Sequence, residues 1–214
     1  GVKSNEFDRE GKMTTPDPVT LHALLADLSG AGVSHLAMEA SSHGLDQKRL
    51  DHVNIDVAAF TNLTRDHLDY HQDFEDYFMA KMHLFQSLLS NDGKAVVNAD
   101  INEYSRIVSI CGGRDVDVIS YGQNADDIKL LSREPHPQGQ YVEIQIDGTS
   151  HELNVPLVGD FQVMNILCAL GILKAFDVNM ADVLAHVPHL HGVPGRLQLV
   201  EGDYDGAVYV DYAH

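Results

Sequence analysis

The chain has 214 residues, and its 44% hydrophobic content can build the core of one large or two small domains. Its 32 acidic and 14 basic residues give a formal charge of −18, which repels phosphate backbones and excludes nucleic acid as an expected partner. No apolar run approaches the roughly 20 residues of a membrane span, so the sequence predicts a cytoplasmic protein with no membrane partner.

The first half of the chain alternates helix and strand signals. Leu21, Leu24, Leu25 and Leu28 have helical spacing, which predicts an amphipathic helix that ends at glycines. After it come strands in SHLAMEA and IDVAAFTN, a helix in DFEDYFMAKMHLFQSLLS, a strand in KAVVN, a helix in INEYSRIVSIC and a strand in VDVISYG. Strands joined by helical crossovers pair in parallel, so the pattern predicts an α/β fold with a mostly parallel central sheet flanked by helices.

The pattern changes from about Ala125 onward. Three short alternating strands, DIKLLSRE, QYVEIQID and TSHELNVPL, predict a small antiparallel patch, with Asp147 and Gly148 in a hairpin turn. Helices follow in FQVMNILCALGILKAF and MADVLAHV, and two strands around a Gly/Asp turn end the chain. Cys111 and Cys168 lack metal-site spacing and are expected to be buried thiols.

Polar side chains collect where the predicted strands end, which is where open parallel sheets place their ligands. The stretch MEASSHGLDQKRL offers a carboxylate, hydroxyls, an amide and a guanidinium in a loop that contains glycine. These groups include Glu39, Ser41, Ser42, His43, Gln47 and Arg49. They suit an anionic or amide-bearing ligand, but a loop that caps its own turns uses the same residue types.

The next strand end, TNLTRDHLDYH, places Asp66, His67, Asp69 and His71 before a predicted helix. Asp66 with Asp69, or His67 with His71, has the spacing of one helical face and could bind a metal ion. The alternative is a capped helix start with acids near the positive end of the helix dipole.

Lys81 lies within that helix among the apolar residues Phe78, Met79, Met82 and Phe85. A lysine in such a position usually extends its ammonium group to water. If the side chain is instead desolvated, it loses proton affinity, and the neutral amine can react with CO₂ to form a carbamate. A carbamate is an anionic oxygen ligand of the kind that Mg²⁺ accepts.

Asn165, Arg196 and Asp211 lie near the ends of later predicted elements. Asn165 follows Phe161 by one helical turn, and the other two lie near the start and end of the last two strands. By pattern alone each is an ordinary surface or turn residue.

Seven motifs resemble those of the Mur ligases of peptidoglycan synthesis, and within that family the enzymes that add the third residue of the peptide. In chain order they are TTPD, MEASSHGLDQKRL, NLTRDHLDYH, YFMAKMHLF, GDFQVMNILCA, PGRLQ and VDYAH. The resemblance covers essentially the whole chain. It implies a central, P-loop-NTPase-like domain over residues 1–195, and a hinge with the first strands of a C-terminal domain over residues 196–214.

The resemblance also implies roles for individual positions. The catalytic and magnesium-binding residues would be Glu39, His67 and Lys81, the last as its CO₂-derived carbamate. The substrate-binding residues would be Thr14, Thr15, Ser41, Gln47 and Arg49. The nucleotide contacts would be Asn165, Arg196 and Asp211. No role follows for Ser42, His43 or His214.

The implied reaction is ATP-dependent amide formation through an acyl phosphate. It would add meso-diaminopimelate or L-lysine to UDP-N-acetylmuramoyl-L-alanyl-D-glutamate in peptidoglycan precursor synthesis, with diaminopimelate the expected amine and a monomer the expected state. Two alternatives are a ligase like folylpolyglutamate synthase, which MEASSHGLDQKRL argues against, and a non-catalytic nucleotide or sugar-nucleotide binding module.

The sequence also departs from the family pattern. No GxxxxGK[ST] motif occurs, although Mur ligases carry a related P-loop before this region, and Gln162 stands where the family often has Asn. The N-terminal UDP-binding domain and most of the C-terminal domain have no counterpart in the chain. We therefore expect a fragment that is inactive alone, and the absent P-loop is what favours the binding-module alternative.

Overall fold

The computed structural model describes residues 2–3, 8–9, 11, 13–64, 69–200 and 208–212. The chain divides into two units. The first unit comprises Gly1–Ala58, Leu63–Gly93 and Ile107–Val116. The second unit comprises Ala59–Asn62, Lys94–Arg106 and Asp117–His214. The expected domain boundary between residues 195 and 196 stays a prediction.

The first unit opens with two short antiparallel strands, β1 (Val2–Lys3) and β2 (Asp8–Arg9), followed by the predicted leucine-rich helix. This helix, α1, spans Pro18–Gly30. Asp17 caps it by accepting hydrogen bonds from the Thr20 hydroxyl at 2.6 Å and the Thr20 backbone N–H at 3.0 Å, and these two bonds lower the pKa of the Asp17 carboxyl. Leu21 and Leu28 are buried, as an apolar helix face requires.

The strand predicted in SHLAMEA does not form. Residues 33–41 have no regular secondary structure, and the side chains of Leu36 and Met38 are exposed. A strand exists only when a neighbour accepts and donates its backbone hydrogen bonds, and no described strand pairs with this segment. The local pattern of apolar residues is therefore not sufficient to predict a strand here.

Two further helices belong to the first unit. The stretch expected to be a loop contains a short helix, α2 (Ser42–Asp46), which Ser41 caps. The helix α3 (Phe74–His83) continues as a π-helical turn over Leu84–Leu88. Phe78, Met82 and Phe85 are almost completely buried, and burying each such side chain contributes about 2 kcal/mol to stability.

Six strands form one sheet in the order β3-β4-β5-β6-β7-β8. Their bounds are Ile55–Phe60, Leu89–Asn98, Asp117–Gly122, Ile128–His136, Gly139–Ile146 and Thr149–Val155. The strands β4, β5 and β6 pair in parallel, whereas β6, β7 and β8 pair antiparallel. The predicted α/β class and the antiparallel patch are confirmed, and the patch continues the same sheet. A helix, α4 (Tyr104–Gly112), connects β4 to β5.

The predicted hairpin turn lies between β7 and β8. Asp147 and Gly148 both have positive φ, 48° and 81°, and the strands pair directly on either side of them. Two consecutive positive φ angles define the type I′ turn, which matches the twist of an antiparallel pair and which Asp-Gly adopts readily. The turn chemistry therefore fixes this register.

The second unit ends with two helices and a two-stranded sheet. The helices are α5 (Asp160–Ala175) and α6 (Met180–His186), and a 3₁₀ turn covers Val187–His189. The strands β9 (Gln198–Val200) and β10 (Val208–Val210) pair antiparallel, as predicted. Within the described residues, no helix combines the length and the apolar composition that crossing a bilayer requires.

Both cysteines are buried free thiols, as predicted from their spacing. Burial raises the pKa of the Cys111 thiol in the first unit and of the Cys168 thiol in the second. Such thiols are protonated at neutral pH, so both cysteines serve as packing residues rather than nucleophiles.

Candidate functional site

The hydroxyl of Thr15 ties the segment before α1 to the segment that carries Glu39. Its Oγ1 donates to the backbone carbonyl of Glu39 at 3.0 Å. It accepts from the Ser41 backbone N–H at 3.0 Å and from the Ser41 hydroxyl at 3.1 Å. A hydroxyl has one donor and two acceptor sites, so the hydrogen-bonding capacity of Thr15 is used within the protein. This geometry gives Thr15 a positioning role.

The glycine of the SSHG stretch is required by close packing. A Cβ atom at Gly44 would lie 2.7 Å from the Cγ2 atom of Thr15, inside van der Waals contact. The Gly44 backbone N–H donates to the Ser41 hydroxyl at 3.1 Å, which completes the cap of α2. The capping interpretation of Ser41 is thus correct, and Thr14 beside this tie is exposed.

The described residues that hold Arg49 in place are neutral acceptors. Its Nε and Nη2 atoms donate to the Gln47 side-chain oxygen at 3.0 and 2.6 Å, and its Nη1 atom donates to the Thr15 carbonyl at 2.8 Å. Among the described residues, no carboxylate pairs with this guanidinium. Arg49 is therefore a pre-positioned, uncompensated positive charge in a chain whose formal charge is −18.

The predicted metal ligands are described only in part. Glu39 is exposed, and its carboxylate makes no hydrogen bond or ion pair with a described residue. Lys81 is half-buried on α3, with its Nζ atom 5.2 Å from the centre of the Tyr77 ring, within the range of a cation–π contact. His67 lies outside the described residues. Within the described ranges, no group of three His, Cys, Asp or Glu side chains could hold a metal ion.

The segment before α3 starts a capped helix. Asp73 caps α3 by accepting from the Asp76 backbone N–H at 2.8 Å. Asp69 and His71 lie in the turn and bend that precede this cap. Their predicted partners Asp66 and His67 fall outside the described residues, so the predicted metal-binding pairs stay a prediction.

The sequence does not predict the contacts that His71 and Tyr70 make in this region. His71 is buried, and its Nδ1 atom lies 3.4 Å from the Asp76 carboxylate, while no described residue pairs with its Nε2 atom. Tyr70 contacts His71 edge-on at 4.9 Å and the His43 ring at 3.9 Å between centroids. Both residues lie in the motif NLTRDHLDYH, but a single sequence cannot show which distant residues they contact.

In the second unit, side chains hold the loop that leads into α5. Gln140 is buried, and its Nε2 atom donates to the carbonyls of Leu157 and Gly159 at 2.9 and 3.0 Å. Asp160, the first residue of α5, pairs with Arg133, and this hydrogen bond lowers the pKa of the Asp160 carboxyl. The start of α5 is therefore fixed from two sides.

The predicted nucleotide contacts are connected through this helix and the β9–β10 sheet. The Gln162 amide on α5 donates to the Arg196 carbonyl at 3.5 Å, and the Tyr212 backbone N–H donates to the Gly195 carbonyl at 2.8 Å. The second bond brings the chain at Arg196 beside the chain at Asp211. Asn165 lies one turn after Gln162, and its exposed amide makes no hydrogen bond with a described residue.

The family model described as the Mur ligase middle domain matches residues 1–173. The UDP-N-acetylmuramoyl-L-alanyl-D-glutamate–2,6-diaminopimelate ligase of Agrobacterium fabrum is 47% identical over the whole chain, which covers 44% of that relative. A solved structure of a ligase with the same name has a TM-score of 0.81 and 32% identity, over 89% of this chain and 39% of that one.

A mutant of L. casei FPGS has a TM-score of 0.65 over 92% of this chain and 53% of that one. At 15% identity it shows a shared fold and nothing more. The chain spans less than half the length of the curated relatives that it matches.

Proposed function

The chain belongs to the Mur ligase middle-domain family, and we propose that it is the central domain of an ATP-dependent ligase acting on UDP-N-acetylmuramoyl-L-alanyl-D-glutamate. The observation that carries the proposal is Arg49, whose guanidinium is oriented by neutral acceptors and left without a carboxylate partner among the described residues. A guanidinium that is held in place and has no carboxylate partner among the described residues favours an anionic ligand.

In the proposed reaction, the substrate carboxylate attacks the γ-phosphate of ATP, the bond to ADP breaks, and an acyl phosphate forms. The incoming amine then attacks the acyl carbon, the amide bond forms, and inorganic phosphate leaves. The first step brings two anions together and the second places an amine beside the acyl phosphate, so the site must bind and orient charged groups at close range.

We assign the substrate side to the first unit. Arg49 would bind an anionic group of the substrate, with Gln47 holding the guanidinium in place. Thr14 and Ser41 would contribute hydroxyl groups, and Thr15 would hold Ser41 and the Glu39 backbone in position. This assignment follows the contacts around Arg49 and Thr15.

Glu39, His67 and Lys81 would hold Mg²⁺, with Lys81 as its carbamate. The carboxylate of Glu39 is exposed and has no partner among the described residues, which fits this role, since Mg²⁺ prefers carboxylate oxygen. The half-buried position of Lys81 fits an amine that is partly withdrawn from water. When bound, Mg²⁺ supplies neutralisation of the triphosphate charge beside the substrate carboxylate.

The nucleotide side is assigned to the second unit. The exposed amide of Asn165 would bind the adenine, and Arg196 and Asp211 would contact the nucleotide where the β9–β10 sheet begins and ends. The hydrogen bonds that fix the chain at Gly195, Gln162 and Gly159 support this assignment, because they set the backbone on which the three side chains stand.

The amine is proposed to be meso-diaminopimelate rather than L-lysine, because the relatives that match the whole chain carry 2,6-diaminopimelate in their names. The proposed location is the cytoplasm, where nucleotide-activated precursors and ATP are available, and the proposed state is a monomer. The second candidate is a binding module without turnover, which the following experiment separates from the ligase.

The decisive experiment is the product mass from the full-length protein with ATP, Mg²⁺ and UDP-N-acetylmuramoyl-L-alanyl-D-glutamate. Diaminopimelate and L-lysine are offered in separate reactions. We expect a mass gain of one diaminopimelate residue and release of one phosphate per product. No gain in either reaction, with the UDP substrate still bound, would reject the ligase in favour of the binding module.

A further inference from the structure

The two acidic residues that flank Arg49 in sequence are both engaged elsewhere. The carboxylate of Asp46 accepts a hydrogen bond from the Tyr70 hydroxyl at 2.7 Å. The carboxylate of Asp51 lies 2.8 Å from the Nε2 atom of His83. Each carboxylate could otherwise compete for the guanidinium, because only two or three residues separate it from Arg49. Their other partners keep the charge of Arg49 uncompensated.

The Tyr70 hydroxyl makes hydrogen bonds with both Asp46 and Gln47. While it donates to Asp46, it accepts from the Gln47 amide nitrogen at 3.1 Å. This bond fixes which way the Gln47 amide points, so that the amide oxygen faces Arg49 and accepts from its Nε and Nη2 atoms. One phenol therefore orients the residue that holds the guanidinium and engages the nearest carboxylate.

The phenol is itself held by its ring. The Tyr70 ring lies 3.9 Å from the His43 ring and 4.9 Å from the ring of buried His71, between centroids. These contacts fix the ring from two elements, α2 and the segment before α3. The Tyr70 side chain nevertheless remains 38% exposed, so the Arg49 region stays open to a ligand.

We propose that Tyr70 is a positioning residue of the Arg49 anion site: its hydroxyl orients Gln47 and withholds Asp46 from the guanidinium. This inference rests on the proposed function, in which the anion belongs to UDP-N-acetylmuramoyl-L-alanyl-D-glutamate. Without the hydroxyl, the Gln47 amide loses its anchor and the Asp46 carboxylate is released three residues from Arg49. A released carboxylate competes with the ligand for the same positive charge.

The test is calorimetric binding of UDP-N-acetylmuramoyl-L-alanyl-D-glutamate to the full-length protein without ATP. Tyr70→Phe keeps the ring contacts and removes only the hydroxyl. We expect about tenfold weaker binding, the scale of a lost hydrogen bond within a charged network. Adding Asp46→Asn to Tyr70→Phe removes the competing charge and should recover about threefold of that loss. With saturating substrates, kcat should change by less than about twofold, because the chemical step is untouched.

Tyr141→Phe is the matched control. Tyr141 is an exposed tyrosine of β7 whose hydroxyl makes no hydrogen bond with a described residue, so this variant should bind like the wild type. Equal binding by Tyr70→Phe and the wild type would overturn the inference. If Tyr70→Phe weakens binding and the added Asp46→Asn does not restore any of it, then Tyr70 does not keep Asp46 away from Arg49.

Arg49→Ala separates this inference from the proposed function. We expect it to weaken binding by at least about tenfold. Weakening by Arg49→Ala together with wild-type binding by Tyr70→Phe overturns the role of Tyr70 and leaves the substrate site standing. Wild-type binding by Arg49→Ala overturns the assignment of Arg49 to the substrate, and the role of Tyr70 with it.

Discussion

The two candidate regions of this chain hold their functional residues in different ways. Around Arg49, most of these bonds hold side chains: Gln47 and the Thr15 carbonyl hold the guanidinium, and Tyr70 holds Gln47. Around α5, side chains hold backbone: Gln140 binds two carbonyls before the helix, and Gln162 binds the Arg196 carbonyl. The first region therefore prepares a particular charged group, whereas the second prepares the path of a loop.

The electrostatics of the two units differ as well. In the second unit, Arg133 pairs with Asp160, and Lys174 lies 2.5 Å from the Asp147 carboxylate. In the first unit, Arg114 binds the carbonyls of Phe85 and Leu89, at the end of the π-helical turn, where the backbone dipole complements its charge. Arg49 has neither an acidic partner among the described residues nor the end of a long helix. Its charge is consequently available to a ligand.

The largest expected effect comes from Lys81, which tests whether the first region carries the chemistry. In the full-length protein, Lys81→Ala should lower turnover by roughly 10³-fold or more, because it removes the proposed oxygen ligand for the metal. Excess bicarbonate or a small carboxylate should partly restore activity, since the required species is an anion. Lys94→Ala, which removes a lysine paired with Asp177 in the second unit, is the control. Full activity of Lys81→Ala without any additive would contradict the carbamate role.

The next largest effect should come from Gln140. It tests whether the region around α5 depends on the hydrogen bonds that hold the backbone before this helix. Gln140→Ala leaves the carbonyls of half-buried Leu157 and Gly159 without their donor, so the free energy of unfolding should fall by about 2 kcal/mol. Tm should fall by about 6 °C for a domain of this size. The full-length variant should also bind ATP more weakly, because the start of α5 is released.

Gln145→Ala on the same strand is the control for Gln140. The Gln145 amide makes one hydrogen bond, of 3.3 Å, to the Gly148 carbonyl in the exposed turn. Its loss should change the free energy of unfolding by no more than about 0.5 kcal/mol. Urea denaturation of both variants measures the difference, and equal losses would show that the carbonyls before α5 do not depend on Gln140.

A smaller effect is expected from Arg49→Lys, which keeps the charge and removes the planar fork. Lysine cannot donate to Gln47 and to the Thr15 carbonyl while still presenting a fixed charge, so substrate binding should weaken by about tenfold. The readout is KM for the UDP substrate, with kcat nearly unchanged. An unchanged KM would mean that charge alone suffices and that the side-chain network around Arg49 has no function.

Most of the fold was predictable because helix and strand periodicity and the Asp147–Gly148 turn are local signals. The missing strand at residues 34–40 shows the limit, because a strand depends on a neighbour that its own residues cannot specify. The five-residue helix α2 was likewise read as a loop, since its capping residues favour turns and helix starts equally.

The sequence indicates which residues belong to the candidate site, but it does not indicate which of them form hydrogen bonds with one another. The motifs contain Arg49, Gln47 and Tyr70, and the family resemblance supplies roles for the first two. The hydrogen bonds of Tyr70 to Gln47 and Asp46, however, cross 23 and 24 residues of sequence. No periodicity connects residues so far apart, so the role of Tyr70 could only come from the structure.

The smallest expected effect is the pH dependence of the Arg133–Asp160 pair at the start of α5. The hydrogen bond from Arg133 holds the pKa of Asp160 below its ordinary value of 3.8. A depressed carboxyl pKa stabilises the folded chain at pH values above that ordinary value, and this stabilisation is lost as the pH falls through the lower, folded pKa. Asp160 is largely exposed, so solvent and salt screen the pair.

We therefore expect the Tm of Asp160→Asn to lie about 1 °C below that of the wild type at pH 7, and the difference to vanish below the folded pKa. Thermal unfolding at both pH values, with and without 0.5 M salt, measures it. A difference that persists below the folded pKa would assign the effect of Asp160 to neutral hydrogen bonding or packing rather than to its charge. The start of α5 would then be held by neutral contacts and not by charge, whereas the Arg49 region depends on a charged group.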